Sequence, residues 1–448
     1  MTDDLHRALR STLKAASREA PAPEPDLLDR LAKRHRTRRH RRLAAVTAAV
    51  VAVPMVVGGT VFVLPSGGER ANGPLTAGTP SPIAMPEPVS PPKAALRALP
   101  DTLPGGREYG VKVVLDDDSL LVSTFSGFER ADGLWVYDLR TRKATKVTDV
   151  VEPAGTKLFP SGFAVGDGQV AWWLLRTAAG RPTIEIWAAP LSGGKARKLA
   201  AMAAKYEKWG QSGLTGLTVE GGKVRWDAGQ IVGDPDTGVY EMPLDGGPAR
   251  VSPGTAGHRI FAWPWIGRPG VSHGKDGEAT FHDLRNMQTG QTLGVRLPAV
   301  GNTWNCGITW CLGSPAGAPH RGRWLSHAVS RDGEVRVLPG DPARRVWSRP
   351  LSVRYLAYVG KGSGGASHLM LYDVETGKLV DLGPGGSGPG GSGSRGSGPL
   401  PKAGKAGTMT MPTTVPSAYR AGAAPRPERY FLWRSGGSVQ LVDLDAIR

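Results

Sequence analysis

Cysteine is nearly missing from this chain: 448 residues hold two, Cys306 and Cys311. That excludes a scaffold stapled by many disulfides, and a zinc site would need two further ligands. The four-residue spacer also departs from the two-residue spacer of a thioredoxin-like redox pair. Equally absent are the strings His-Glu-x-x-His and Gly-x-x-x-x-Gly-Lys-Ser/Thr, so zinc-peptidase and P-loop chemistry have no warrant in the sequence. No cofactor motif appears, and no cofactor is expected. Negative charge is short: 39 Asp and Glu face 56 Lys and Arg, a formal net charge of +17. No long helical period appears beyond residue 93, which speaks against a helix bundle.

What is present begins with 22 consecutive uncharged residues, Leu43 to Leu64. At about 1.5 Å per residue this run matches a hydrocarbon core about 30 Å thick, and it predicts one membrane helix. Pro54, Gly58 and Gly59 are tolerated in such helices. Directly before it stand Lys33, Arg34, Arg36, Arg38, Arg39, Arg41 and Arg42. This basic collar predicts a cytoplasmic N-terminus and an extracytoplasmic C-terminal domain in a single-pass membrane protein, with the collar drawn to anionic lipid of the bilayer. Arg38-Arg39 invites a twin-arginine signal reading, but residues 1–42 are long for an n-region and no Ala-x-Ala closely follows Leu64, so an uncleaved anchor is favoured. The collar lacks interleaved aromatics, and nucleic acid is not expected as a partner.

Within the basic cytoplasmic segment 1–42, Leu5, Leu9 and Leu13 share one helical face, as do Leu27, Leu28 and Leu31. Such short helices are unstable alone, so the segment is either a topogenic tail or a docking element for a cytoplasmic protein partner. Residues 65–92 hold eight prolines and predict an extended stalk of about 3.1 Å per residue.

Residues 93–448 change character to short runs of Val, Ile, Leu, Tyr and Trp between Gly and Asp turns. One phrase recurs: an apolar strand, a tight turn and a second short strand. It appears as Leu134 to Leu139, Ile184 to Gly194, Val239 to Gly247, Phe281 to Leu284, Leu371 to Lys378 and Leu441 to Leu444, with a degenerate copy around Val329 to Val337. The marks Leu139, Leu191, Leu244, Leu284, Arg331, Val374 and Leu444 are about 52, 53, 40, 47, 43 and 70 residues apart. The last step contains a Gly/Ser-rich loop, 383–407. A strand-only period of about 40 to 50 residues is the signature of a β-propeller. The class expected is all-β, a six- to seven-bladed ring. Tyr430 to Trp433 and Ser438 to Leu444 are expected to pair with a strand near Ala94 to Leu103, which gives seven blades closed by both chain ends.

The phrases Tyr372-Asp373-Val374-Glu375-Thr376-Gly377-Lys378 and Pro243-Leu244-Asp245-Gly246-Gly247-Pro248-Ala249-Arg250 resemble the turn between the outer two strands of TolB-like and WD-repeat-like propellers. The layout of basic N-terminus, single span, Pro-rich stalk and outer ring is similar to membrane-anchored TolB-like proteins of actinobacteria. The resemblance covers about 350 residues. The only Trp-Asp dipeptide, Trp226-Asp227, lies out of place relative to the turn.

Six outer histidines, His258, His273, His282, His320, His327 and His368, lack ligand spacing and are read as surface or turn residues; no metal site is expected. Asp116-Asp117-Asp118 lacks the alternating ligands of a calcium loop and predicts a hairpin turn. All 13 tryptophans lie beyond the span, chiefly as filling between blades; Trp263 and Trp265, flanking Pro264, are the candidates for an exposed aromatic binding surface. A hairpin placing Cys306 opposite Cys311 predicts a local disulfide in an oxidising compartment. The functional expectation is a non-catalytic, membrane-anchored propeller that binds or scaffolds an envelope polymer or a protein. Two alternatives are a transmembrane regulator whose segment 1–42 holds a transcription factor, in the manner of an anti-sigma factor, and an envelope glycan-active enzyme.

Overall fold

The structure is a computed structural model that describes residues 83–127, 130–204, 214, 216–227, 238–269, 281–297, 304–313, 327–340, 354–361, 367–384, 413–418, 429–435 and 438–447. The expected cytoplasmic segment, collar, span and most of the stalk lie outside them, as does most of the Gly/Ser-rich loop.

Two short N-terminal strands, β1 (Pro88–Val89) and β2 (Leu96–Leu99), precede the first blade. That blade is β3 (Tyr109–Val114), β4 (Ser119–Gly127), β5 (Arg130–Asp138) and β6 (Ala144–Asp149). The second is β7 (Thr156–Gly166), β8 (Gln169–Ala178), β9 (Arg181–Pro190) and β10 (Arg197–Ala203). The third is β11 (Leu217–Glu220), β12 (Lys223–Asp227), β13 (Val239–Pro243) and β14 (Arg250–Val251). The fourth is β15 (Arg259–Ala262), β16 (Trp265–Gly267), β17 (Leu284–Asn286) and β18 (Thr292–Leu293). The fifth is β19 (Asn305–Cys306), β20 (Trp310–Gly313), β21 (His327–Ser330) and β22 (Val335–Val337). The sixth holds β23 (Tyr355–Lys361), β24 (Ser367–Asp373) and β25 (Leu379–Pro384), with β1 added parallel on the outer edge of β25. The seventh is β26 (Thr413–Val415), β27 (Tyr430–Ser435) and β28 (Ser438–Asp443), completed by β2. The molecule is thus an all-β, seven-bladed β-propeller.

Ring closure follows the expected pairing of both chain ends, with β2 antiparallel to β28 from Leu96 opposite Val442 to Leu99 opposite Val439. The hold on the N-terminal segment reaches further back than the boundary expected at Lys93. Gly340 N–H donates to the Ile83 carbonyl at 2.8 Å, so residues 83–99 form a belt across the fifth, sixth and seventh blades rather than a free stalk.

Each blade alone has two apolar faces, and stacking covers both. Inner strand β3 is buried throughout, whereas outer strand β10 is half exposed. Between the second and third blades, Trp173, Ile184 and Ile186 pack on Val219, Val224 and Trp226. Between the sixth and seventh, Tyr355, Leu369 and Leu371 meet Phe431, Trp433 and Val442. The tryptophans therefore fill space between blades as expected, and Trp172, Trp226 and Trp433 are among the largest fully buried side chains. The packing is close: a Cβ on Gly166 would lie 2.0 Å from the Val219 carbonyl oxygen of the next inner strand.

The misplaced Trp226-Asp227 dipeptide has a structural role. Buried Asp227 accepts Gly216 N–H at 3.2 Å and, through its other oxygen, Ile260 N–H at 2.9 Å, tying the third blade to the fourth. Five of the seven sequence marks directly follow the third strand of their blades, and Val374 follows β24 of the sixth; in the fourth blade the residue after the third strand is Met287, not Leu284. Leu284 instead begins the strand, because an apolar strand and the residue after it look alike when three residues of sequence separate them. Cys306 and Cys311 face each other across β19 and β20 and form the expected disulfide. Asp116–Asp118 form the expected β3–β4 turn, with Asp118 N–H donating to Asp116 Oδ1 at 2.9 Å.

Two expectations fail on burial. Trp265 is 6% exposed within a cluster with Phe281 and Leu284, because it opens a second strand and such strands are sandwiched between neighbouring blades. His327 on β21 and His368 on β24 are buried for the same reason, inside strands flanked by neighbouring blades, and His368 Nδ1 lies 2.8 Å from an Asp381 oxygen.

Candidate binding clefts on one face of the ring

Antiparallel succession puts the turns between first and second strands, and between third and fourth strands, on one face of the ring. Two clefts open there at blade boundaries. The first, of about 370 Å³, lies between the third and fourth blades and is lined by Glu220, Arg225, Glu241, Ser252, Trp263 and Gln288, among others.

In this cleft the charges are consumed internally. Arg225 Nη1 reaches Glu220 at 3.0 Å and its Nε reaches Glu241 at 3.3 Å, while Lys223 Nζ donates to Glu241 at 2.6 Å. Burial pushes the Glu241 carboxyl up, but the Lys223 hydrogen bond and the charges of Lys223 and Arg225 hold it below the usual carboxylate range. A general acid needs the opposite shift. Trp263, the expected exposed aromatic, does reach this cleft. Its indole N–H donates to Glu220, the Arg225 guanidinium lies 4.6 Å from its ring centroid, and it packs on Val239, Ile260 and Ile266. Trp263 and Trp265 thus part company: one is clamped at the cleft and the other belongs to the core.

The second cleft, of about 580 Å³, lies at the closure seam between β2 and the first blade, lined by Arg97, Leu99, Asp118, Tyr137, Arg140 and Arg142, among others. Arg97 lies 4.0 Å from Asp118. Arg140 and Arg142 are exposed and, among the described residues, form no salt bridge.

These two arginines sit in a turn that occurs three times among the described residues. Asp138-Leu139-Arg140-Thr141-Arg142-Lys143, Asn286-Met287-Gln288-Thr289-Gly290-Gln291 and Asp373-Val374-Glu375-Thr376-Gly377-Lys378 start on the last residues of β5, β17 and β24. In all three the first residue's N–H donates to the sixth residue's carbonyl, at 2.9, 2.8 and 2.8 Å. The leading Asp or Asn side chain caps the turn, accepting Thr141, Thr289 or Glu375 N–H. The fifth residue is left-handed in every copy, with φ of 57° at Arg142, 73° at Gly290 and 72° at Gly377. Glycine takes that conformation freely, whereas a residue with a Cβ loses on the order of 1 kcal/mol. The first blade therefore carries an arginine where its sister turns carry glycine, and a second arginine where they carry glutamine or glutamate.

Elsewhere on this face arginines tie strands or blades together. Arg331 donates to the carbonyls of Phe281, His282, Gly307 and Ile308 across the fourth and fifth blades, and burial lowers its pKa to about 10. Arg354 and Arg429 directly precede β23 and β27, lie over the next tyrosine and pair with the aspartate ending the following strand, Asp373 of β24 or Asp443 of β28. Sequence reasoning missed these staples, although the repeated Arg-Tyr before an apolar run was a signal for them. Among the described residues no group of three or more His, Cys, Asp and Glu side chains is placed to hold a metal.

No protein-family profile matches the chain, and no curated relative does. Solved structures do resemble it. An oligogalacturonate lyase from Vibrio parahaemolyticus is 12% identical with a TM-score of 0.39, covering 82% of this chain and 100% of that one. A puromycin hydrolase is 18% identical with a TM-score of 0.36, over 82% and 56% of the two chains. TolB from Acinetobacter baumannii is 12% identical with a TM-score of 0.24, over 61% and 56%. These likenesses concern the propeller and carry no argument about activity.

Proposed function

We propose that the protein is a non-catalytic β-propeller, held outside the membrane by the 43–64 helix, that binds an envelope polymer or a partner protein through its turn-bearing face. The non-catalytic reading is carried by the blade 3–4 cleft, where Arg225 joins both carboxylates and Glu241 is held in its charged form. A carboxylate pair working as acid and base needs one member protonated. The anchor rests on the uncharged run and its basic collar, since no helix among the described residues is long and apolar enough to cross a membrane. The Cys306–Cys311 disulfide suits an oxidising compartment.

The test uses the full-length chain with a C-terminal tag in intact cells. Externally added protease should remove the tag, and both thiols should resist maleimide until reduced. A shielded tag together with free thiols sinks the reading.

A further inference from the structure

We propose that the cleft at the closure seam is an anion site, in which Arg97, Arg140 and Arg142 bind a phosphate-ester group. This names a ligand class for the binding reading above and rests on it.

Three guanidiniums and one carboxylate, that of Asp118, line the cleft. Neighbouring acids have other hydrogen-bond or salt-bridge partners. Asp138 accepts Thr141 N–H at 2.7 Å within its own turn, and Asp117 lies 3.6 Å from Arg429. In the blade 3–4 cleft each guanidinium or ammonium is salt-bridged to an internal carboxylate, whereas Arg140, whose charge acts on nearby Asp138, and Arg142 form no salt bridge among the described residues. The second observation is the substitution pattern within the ring. Gly290 and Gly377 fill the left-handed position of the sister turns, and Arg142 fills it here at φ 57°. Gln288 and Glu375 occupy the position of Arg140. Folding does not ask for either arginine, since the same turn closes without them, so their place at a cleft points to a ligand. Several forked donors around one cleft match the three acceptor oxygens of a phosphate monoester, or a phosphodiester run, better than a single carboxylate.

The experiment uses the full-length chain in nanodiscs of uncharged lipid. Tripolyphosphate binding is measured by calorimetry at moderate salt, and capture of phosphatidylglycerol vesicles by flotation. The R140A/R142G double variant should bind tripolyphosphate at least tenfold more weakly, while R142G alone should melt no lower than the parent chain. A control removing equal charge from the second blade, K195A/R197A, should leave binding within twofold. Loss of tripolyphosphate binding alone assigns the site to soluble or polymer-borne phosphate, and loss of vesicle capture as well assigns it to a lipid headgroup. Unchanged affinity in the double variant, an equal loss in the control, or tighter binding of polyglutamate than of tripolyphosphate overturns the proposal. Either result leaves the protease-accessibility test of topology standing by itself.

Discussion

Single side chains hold this ring together mostly by closing charge inside blade boundaries. Glu241 is the clearest case, because its partners Lys223 and Arg225 are 40% and 12% exposed and so keep part of their strength against solvent screening. Its folded pKa lies below the unfolded value of about 4.5. A depressed carboxylate contributes stability above its unfolded pKa and loses that contribution as pH falls through the folded value. Urea unfolding between pH 6 and pH 3 should therefore show a stability loss below about pH 4.5 that is smaller in Glu241→Gln than in the parent chain. Equal acid slopes would show that the cleft network carries no such coupling. None of this was legible in the sequence, where Glu220, Arg225, Glu241 and Trp263 are scattered over forty-odd positions and belong to two blades. Trp263 alone was singled out, from the neighbouring Pro264, and the inference of exposure was half right because Arg225 covers the ring.

At the scale of the element, the six-residue turn shows how one local solution is reused. Asp373 accepts Glu375 N–H, bonds Thr376 Oγ1 and pairs with Arg354, and the pair is 5% and 13% exposed. Removing the carboxylate leaves a guanidinium with little water around it, so Asp373→Ala should cost about 3 kcal/mol. Asp373→Asn, which keeps the capping oxygen, should lose less. Chemical denaturation of both variants checks the order, and equal losses would mean that the ion pair, removed in both, matters and the cap does not. These turns were largely legible beforehand, because Asx capping and left-handed glycine are local demands readable in Asp-x-x-Thr-Gly. The burial of His327 and His368 was not, since it depends on which blade faces which.

Across the whole molecule, stability depends on a strand lent by the beginning of the chain. Strand β2 covers β28, where Leu99 and Leu441 join the cluster between the seventh and first blades. A chain starting at residue 100 loses that cover and exposes the β28 edge, which is a template for association. It should unfold in a broad transition and elute as aggregates, whereas a chain starting at residue 83 should unfold cooperatively as a monomer. Light scattering with thermal unfolding distinguishes them, and a stable monomeric ring from residue 100 would show that β2 is dispensable.

The repeat of strand and turn, the period near 45 residues, the closing pair of chain ends and the disulfide were determined by the sequence itself, because each follows from local alternation, turn chemistry or spacing along one hairpin. The belt from Ile83, the burial of Trp265, the saturated cleft around Trp263 and the gathering of arginines at the seam were decided only by the tertiary structure. Their physical reason is shared: each depends on which side chains of different blades meet, and ring closure brings together residues that the chain keeps far apart.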